Sequence, residues 1–289
     1  MSDKILRGLA RNGNIRIMMI NSKETVQELR DIHDTHPTVS AALGRTVNAS
    51  LMMAHMLKNE NEKLIVEIRG DGPLKHILVN ADQAGFVRAT VSEPHLFQVK
   101  ENGKLDVSGI IGNGTLKVSR ESDGKLVYTS LVELQTSEIA EDFAFYFAQS
   151  EQIPSAVSLG VLVGTDLNIE SSGGLLIQVI PGATEEDIVA IEKVIETMGP
   201  ISTLMKDSDV ETVFNKLFPE GEILGVNDIY VHCGCNRDQM LGVLTTLSSQ
   251  DIEEMIEEDE GATLECTYCH TPYTFSKEDL EGIVAQRFI

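Results

Sequence analysis

Val231-His-Cys-Gly-Cys235 contains two of the four cysteines in this 289-residue chain, and Glu265-Cys-Thr-Tyr-Cys269 contains the other two. A C-x-C pair is thus followed, thirty residues later, by a C-x-x-C pair. Four thiolates are a ligand set of tetrahedral structural zinc. Side chains in an extended segment repeat every two residues, so the first pair can face one way, and the second pair can wrap a metal in a tight turn. The spacing predicts one zinc ion bound by Cys233, Cys235, Cys266 and Cys269.

Other chemistry fits parts of this pattern. His232 and His270 abut the pairs and could replace a cysteine ligand, although four thiolates suffice without them. Cys266-Thr-Tyr-Cys269-His270 matches the C-x-x-C-H haem-attachment pattern, but haem leaves the first pair unexplained. A thioredoxin-like C-x-x-C opens a helix, whereas Pro272 and Tyr273 follow here almost at once. A zinc site that uses all four cysteines is favoured over both.

Such a zinc site can be structural or can act as a redox switch. A very small core rarely supplies more than about 3–5 kcal/mol, whereas structural zinc contributes about 10–16 kcal/mol of apparent binding free energy. Loss of the metal should therefore unfold this C-terminal segment. In either pair, a thiolate oxidised to a sulfenic acid has a neighbouring thiol that can resolve it to a disulfide. The residues alone leave both a structural zinc ribbon and a switch open.

Composition narrows the class of protein. The chain has 23 Lys and Arg against 45 Asp and Glu, a formal net charge of -22. Nucleic acid and anionic membranes require clustered positive charge, so we expect neither as a partner. No stretch approaches the roughly 18 apolar residues of a membrane span, and residues 1–8 lack the apolar segment of a signal peptide. We expect a cytoplasmic protein, whose thiols are normally kept reduced.

Hydrophobic periodicity predicts an α+β body over residues 1–180, because strands and helices do not alternate regularly. A helix is predicted from an N-cap at Ser40 to Leu57, and another over residues 138–150. Strands are predicted over residues 64–68, 77–79, 86–91, 115–119, 126–132, 157–163 and 175–180. The glycine-rich segment Gly109–Gly114 matches no nucleotide-binding motif and is predicted to be a hairpin turn.

Residues 181–227 are predicted to form a helical linker, followed by a zinc domain over residues 228–289. Thr184 is a predicted N-cap of the first linker helix, which ends at Gly199-Pro200. Ser208-Asp-Val-Glu211 is a capping-box sequence that predicts the start of the second helix. Short amphipathic helices depend on packing for their stability. The linker can therefore loosen if its cover unfolds, or it can be an ordinary rigid connector.

The chain resembles the thirty-three-kilodalton heat-shock proteins, a family of bacterial redox-regulated chaperones, over essentially its whole length. The two cysteine pairs at this separation are the signature of that family. Further similar segments are Pro37–Thr46, Ser150–Ser155, Gly174–Gly182 and Ile252–Asp259. At the four cysteine positions the chain shows no departure from the family pattern.

The resemblance implies that the reduced protein holds one zinc ion on the four cysteines and is largely inactive. Peroxide with mild heat, or hypochlorous acid, is then expected to form two disulfides between near neighbours and to release zinc. In this chain those disulfides would be Cys233–Cys235 and Cys266–Cys269. The zinc domain and the linker are expected to unfold, and the oxidised protein, commonly a dimer, binds unfolding client proteins without ATP.

We therefore expect a stress-response holdase, which is not an enzyme. Two other classes remain open from the residues. A thiol-disulfide oxidoreductase would use Cys266 and Cys269 in turnover with a reductant, whereas a holdase acts stoichiometrically. A zinc ribbon in a transcription complex would bind its partner while reduced and zinc-loaded.

Overall fold

The computed structural model describes residues 2–286 and shows two compact units, the first ending at His232 and the second beginning at Cys233. Both contain helices and strands, so the α+β class predicted from the sequence is confirmed. The predicted body and the predicted linker, residues 181–227, both belong to the first unit, as do residues 228–232 of the predicted zinc domain. The end positions 1 and 287–289 of the predicted domains lie outside the described residues.

The first unit contains most of the regular structure. Its strands are β1 (Lys4–Ala10), β2 (Ile15–Asn21), β3 (Glu62–Gly70), β4 (His76–Asp82), β5 (Phe86–Val91), β6 (Gly114–Ser122), β7 (Lys125–Glu133), β8 (Ser155–Val163), β9 (Ile169–Val179), β10 (Glu222–Asp228) and β11 (Tyr230–Val231). Its helices are α1 (Lys23–His33), α2 (Pro37–Ala54), α3 (Val107–Ile111), α4 (Ala140–Tyr146) with a π-helical extension over Phe147–Glu151, α5 (Glu185–Met198), α6 (Ile201–Leu204) and α7 (Val210–Leu217).

Two sheets enclose helix α2. One sheet has the strand order β10-β1-β2-β9-β8 and is antiparallel throughout. The other has the order β11-β5-β4-β3-β6-β7, in which only the β11–β5 pair is parallel. Helix α2 contacts strands of both sheets, and nearly all of its residues are buried. A helix that is apolar and small-residue-rich on every side is typical of such a central position.

Helices α5 to α7 pack on the other face of the five-stranded sheet. Ile191, Val213 and Phe214 of these helices form one apolar cluster with Leu6 and Ile17 of β1 and β2. After α7 the chain continues as β10, which pairs with β1 at the edge of the sheet. Residues 181–227 are therefore helical only in part, because their last residues complete a sheet.

Local boundaries differ from the predictions at three places. Helix α2 begins at Pro37 instead of after Ser40, because proline is favoured at the first helical position, where its missing N–H costs nothing. Helix α7 has Asp209 as its N-cap instead of Ser208, since the Asp209 carboxylate accepts the Thr212 N–H at 2.7 Å. The segment 109–114 is no hairpin turn: it contains the end of α3, whose N-cap Asp106 accepts the Gly109 N–H, and the start of β6.

The second unit is small. It contains α8 (Arg237–Leu244), α9 (Ser249–Glu258), the antiparallel strands β12 (Gly261–Glu265) and β13 (Pro272–Ser276), and α10 (Lys277–Gln286). Its buried core consists of Leu244, Ile252, Phe275, Leu280 and Ile283. Among residues 2–286, no helix is both long and apolar enough to cross a membrane.

The packing of α7 yields a stability prediction. Phe214 is fully buried, and a Cβ atom added at Gly8 would lie 2.6 Å from its ring. Phe214→Ala should lower the free energy of unfolding of the first unit by about 3–5 kcal/mol, because the cavity is closed in by β1. Urea denaturation followed by circular dichroism measures this change. Val189→Ala, at a side chain that is 53% exposed, is the control and should change it by less than about 0.5 kcal/mol; equal effects would contradict the assigned packing.

Candidate metal centre

The structure brings all four cysteines together in the second unit. Cys233 and Cys235 lie just before α8, and Cys266 and Cys269 lie in the turn that joins β12 to β13. The four sulfur atoms all lie within 4.8 Å of one another. In the described part of the chain this is the one cluster of three or more side chains of metal-ligand type. The four cysteines could therefore hold a metal ion.

The sulfur–sulfur distances suit a single tetrahedral ion. Cys233 Sγ lies 3.5 Å from Cys266 Sγ, and Cys235 Sγ lies 3.4 Å from Cys269 Sγ. Zinc–sulfur bonds of about 2.3 Å place the sulfurs of a tetrahedral site about 3.8 Å apart. A disulfide bond, at about 2.05 Å, is far shorter. The four cysteines are thus present as thiols, at nearly the separations that a bound ion requires.

Two backbone turns direct the sulfurs inward. Gly234 has φ +64°, so the chain turns between Cys233 and Cys235. The expected extended geometry of this pair is therefore wrong, since β11 ends at Val231 and glycine permits the left-handed conformation. In the second turn, the His270 N–H donates to the Cys266 carbonyl at 2.8 Å, and His270 itself has φ +56°.

Two hydroxyl groups contact the sulfur cluster. Tyr273 Oη lies 3.1 Å from Cys235 Sγ and donates to the Cys235 carbonyl oxygen, also at 3.1 Å. Thr271 Oγ1 lies 3.2 Å from Cys269 Sγ. Groups that hydrogen-bond to metal ligands orient them and tune the site. Sequence reasoning missed both roles, although hydroxyl side chains two and four positions after the last cysteine were an available signal.

Burial and hydrogen bonds shift the pKa values of three of the four thiols, and not all in the same direction. Burial raises the pKa of Cys233 to about 12, and a hydrogen bond with Cys266 adds to this effect. Burial also raises the pKa of Cys235. For Cys269, burial acts upward too, but hydrogen bonds from the side chain and backbone of Thr271 prevail and lower the pKa to about 6. The thiolate of Cys269 therefore forms readily, whereas burial opposes ionisation of Cys233 and Cys235, and several thiolates this close together would repel one another. A bound cation would remove that penalty.

The flanking histidines have other contacts. The His232 ring lies 5.0 Å from the Phe86 ring, in the first unit. His270 forms a hydrogen bond with Glu265. Both histidines are exposed, and neither belongs to the sulfur cluster.

The local structure around the C-x-x-C pair is unlike that of thioredoxin. Cys266 follows β12, and β13 begins three residues after Cys269. In thioredoxin-like sites the pair lies near a βαβ pattern. Here it forms the turn of a β-hairpin, a position from which it can bind metal together with Cys233 and Cys235.

Comparison with known proteins gives a consistent result. A family model described as "Hsp33 protein" matches residues 3–276. Proteins named "33 kDa chaperonin" from Bacillus velezensis and Bacillus subtilis are each 40% identical over 285 residues, which cover 97% of this chain and 98% of each relative. The protein of that name from Staphylococcus epidermidis is 39% identical over 287 residues, covering 98% of both chains.

A solved structure agrees with the sequence matches. The crystal structure of a 33 kDa chaperonin (heat shock protein 33 homolog) from Thermotoga maritima is similar with a TM-score of 0.90 and 32% sequence identity. The match covers 100% of this chain and 99% of the other. The resemblance inferred from the cysteine pairs and the body segments is thereby confirmed, and the chain belongs to the Hsp33 protein family.

Proposed function

We propose that this protein is a redox-regulated, ATP-independent holdase, inactive while reduced and active in binding unfolding proteins once oxidised. Its family and the names of its relatives support a chaperone role. The observation that carries the redox part is the four-thiol cluster in a unit whose buried core has five side chains. A core of this size depends on added cross-links or metal for its stability.

The proposed resting state holds one zinc ion per chain on Cys233, Cys235, Cys266 and Cys269. An all-sulfur tetrahedral donor set is one that zinc favours. When bound, the ion supplies positive charge that keeps all four thiolates ionised and links the start of the unit to the β12–β13 turn. Tyr273 and Thr271 contribute hydroxyl groups beside Cys235 and Cys269.

Oxidation would convert the four thiolates into the disulfides Cys233–Cys235 and Cys266–Cys269. Two molecules of hydrogen peroxide accept four electrons from the thiolates and, with four protons, become four molecules of water. The two new S–S bonds would leave no thiolate to hold a zinc ion, which would be released as Zn²⁺. The electrons and charges balance without a further co-reactant.

These disulfides join neighbours in sequence, whereas the short sulfur–sulfur distances of 3.4 and 3.5 Å join one pair to the other. The cross-pair contacts require the folded unit, because thirty residues separate Cys235 from Cys266. Neighbours in a C-x-C or C-x-x-C pair stay close even in an unfolded chain, since short loops close at little entropic cost. Near-neighbour disulfides are therefore the expected products once the unit loosens.

Loss of zinc would unfold the second unit, and the linker, residues 181–227, would follow. Structural zinc contributes about 10–16 kcal/mol to folding, more than the total stability of many domains. Loosening of α5 to α7 would uncover the apolar face of β1 and β2 that includes Leu6 and Ile17. That face and the exposed side of the helices would bind unfolding client proteins.

The remaining parts of the proposal concern partners and compartment. The clients are unfolded or unfolding proteins, and the active form is a homodimer. The net charge of -22 argues against nucleic acid or anionic membranes as partners. The reduced thiols that the resting state needs are typical of the cytoplasm, where we place the protein.

The first test compares the two redox states directly. Reduced, zinc-loaded protein should not suppress light scattering from a chemically unfolded client, whereas protein treated with peroxide at mildly elevated temperature should suppress it near stoichiometric ratios. Mass spectrometry confirms the disulfides in the same samples. Absence of suppression in both states, with the disulfides present, would contradict the proposal.

The Cys269→Ser variant distinguishes a holdase from the alternative function, a thiol-disulfide oxidoreductase. In a holdase it should weaken zinc binding and deregulate client binding. In a thiol-disulfide oxidoreductase that uses Cys266 and Cys269, it should abolish catalytic turnover with a reductant. Multiple turnovers by the wild-type protein that vanish in Cys269→Ser would therefore favour the oxidoreductase.

Zinc affinity should fall as the pH falls. Each thiol must lose its proton to bind the ion, and the raised pKa values of Cys233, about 12, and of Cys235 keep both thiols protonated between pH 7 and 8. Zinc must then displace at least two protons, so its dissociation constant should rise at least about a hundredfold when the pH is lowered from 8 to 7. Competition with a chromogenic chelator of known proton affinity measures this. A constant that does not change with pH would exclude thiol ligands.

Tyr273→Phe should weaken zinc binding by about 10–100-fold, the usual cost of removing a group that supports a metal ligand. The variant loses only the hydroxyl beside Cys235, and the ring remains. The same chelator competition measures the affinity, and the rate of zinc release by peroxide is a second readout. Tyr128→Phe, on β7 of the first unit, is the control. Wild-type affinity and release rate in Tyr273→Phe would show that the hydroxyl does not support the site.

A further inference from the structure

A two-residue strand connects the first unit to the first cysteine. Ile229 is 4% exposed and belongs to the main core of the first unit. Tyr230 and Val231 then form β11, which pairs in parallel with Phe86 and Val87 of β5. The next residue but one is Cys233. The metal-ligand sequence thus begins directly at a sheet edge.

Strand β11 covers a short section of that edge. The Tyr230 N–H donates to the Gly85 carbonyl, and the His232 N–H donates to the Val87 carbonyl, both at 2.9 Å. The other side of β5 is paired with β4. Further along the edge, His33 Nε2 lies 2.7 Å from the carbonyl of Ala89. The section that β11 covers is therefore limited to the first residues of β5.

Aromatic rings mark this section of the edge. The Phe86 ring lies 5.9 Å from the Tyr230 ring and 5.0 Å from the His232 ring. Even with these neighbours, Phe86 is 39% exposed and Tyr230 is 50% exposed. The segment that occupies the edge is extended and carries an aromatic and a β-branched residue. Aromatic and β-branched residues fit strand positions best. The sequence of β11 therefore indicates which kind of segment can pair with this edge of β5.

Few main-chain hydrogen bonds hold β11, although its residue Val231 also packs against the main core. A parallel pair is slightly less stable per residue than an antiparallel one, and two residues are fewer than a strand normally has. Ile229 fixes β11 on its N-terminal side, and Cys233 follows His232 on its C-terminal side. If Cys233 were released from the cluster and its unit unfolded, the His232 N–H would lose its fixed position, and the Val87 carbonyl would lose its donor.

We infer that β11 is a removable cover, and that the uncovered edge of β5 at Gly85–Val87 binds an extended apolar segment of an unfolded polypeptide. The segment would replace the main-chain hydrogen bonds of β11 and pack a side chain on Phe86. Addition of a strand to an exposed edge is a recurrent mode of peptide recognition. The inference rests on the proposed function for its trigger, the loss of the metal.

A photo-crosslinking experiment tests this site. Phe86 is replaced by p-benzoylphenylalanine in the full-length chain, and carboxymethylated, permanently unfolded lactalbumin serves as the probe. Two main-chain hydrogen bonds of ordinary net strength correspond to about a thirtyfold change in binding, so crosslinking should rise about thirtyfold on oxidation. The control carries the same photo-crosslinker at Leu126 of β7, which is 63% exposed at the opposite edge of the sheet and should show no such rise.

A second variant uncovers the edge without oxidation. Tyr230→Pro removes the N–H that bonds to Gly85 and the ring that packs on Phe86. The reduced, zinc-loaded variant should crosslink through position 86, while its zinc content stays at one ion per chain. Tyr230→Phe is the matched control, because it keeps both the N–H and the ring, and it should remain closed.

The outcomes separate this inference from the proposed function. If oxidised wild-type protein suppresses aggregation but position 86 crosslinks no more than position 126, the inference is wrong and the function stands. If oxidised wild-type protein binds no client, the proposed function fails, and Tyr230→Pro decides the inference alone. Crosslinking in that variant would support the edge site, and its absence in a folded, zinc-loaded variant would overturn it.

Discussion

The second unit brings four sulfur atoms together beside a very small apolar core. Its core comprises five buried side chains and its sheet is a single hairpin. A lone hairpin is marginal in water. The sulfur cluster brings the segment before α8 next to the turn after β12, so a metal ion bound there would close the loop of thirty residues between Cys235 and Cys266. In the proposed resting state, a change in the chemistry of the sulfurs would therefore change the stability of the whole unit.

The first unit, in contrast, contains two large apolar clusters. Its central helix α2 is buried between two sheets, and a second apolar cluster lies under α5 to α7. These cores contain none of the four cysteines, so we expect most of both sheets to persist if the second unit unfolds, apart from β10 in the linker and β11. The helices over residues 185–217 are the exception within this unit. They lie on one face of a sheet and their stability comes from that packing. A stable body, together with helices α5 to α7 whose stability depends on packing, is the physical basis of the proposed switch.

The sequence alone predicted those features whose residues are constrained by metal-ligand chemistry or by a long hydrophobic period. The four cysteines could be grouped from spacing alone, because two close pairs are typical of a four-thiolate zinc site. Helix α2 and the strands from β3 to β9 follow from runs of apolar residues. Strands β1 and β2 were not predicted, although Asn12-Gly13 between them is a turn signal. Both residues have positive φ in the structure. The N-cap of α7 was missed by one residue, because Ser208 and Asp209 are both good caps and only hydrogen-bond geometry distinguishes them.

Other features were not predictable in principle. The Tyr273 hydroxyl reaches Cys235 only because β13 pairs with β12 and returns the chain to the cluster. The strand β11 has two residues, too few for any periodicity, and its partner β5 is far away in sequence. Such pairings depend on the path of the whole chain. Both features add detail to the functional hypothesis. The Tyr273 hydroxyl lies beside Cys235 of the cluster, and β11 ends two residues before Cys233.

The position of β11 bears on how a chaperone of this kind could be both general and controlled. In the few residues from Asp228 to His232, the chain passes from the edge of one sheet, through the buried Ile229, to the edge of the other. Main-chain hydrogen bonds at a sheet edge do not distinguish one sequence from another, which suits a protein that must bind many unfolded chains. The same lack of selectivity makes a permanently open edge a site of aggregation. The proposed cover, β11, would avoid both problems, because Cys233 of the cluster follows it by two residues. The edge would then be open only after the cluster has changed, and it would not need to select among client sequences.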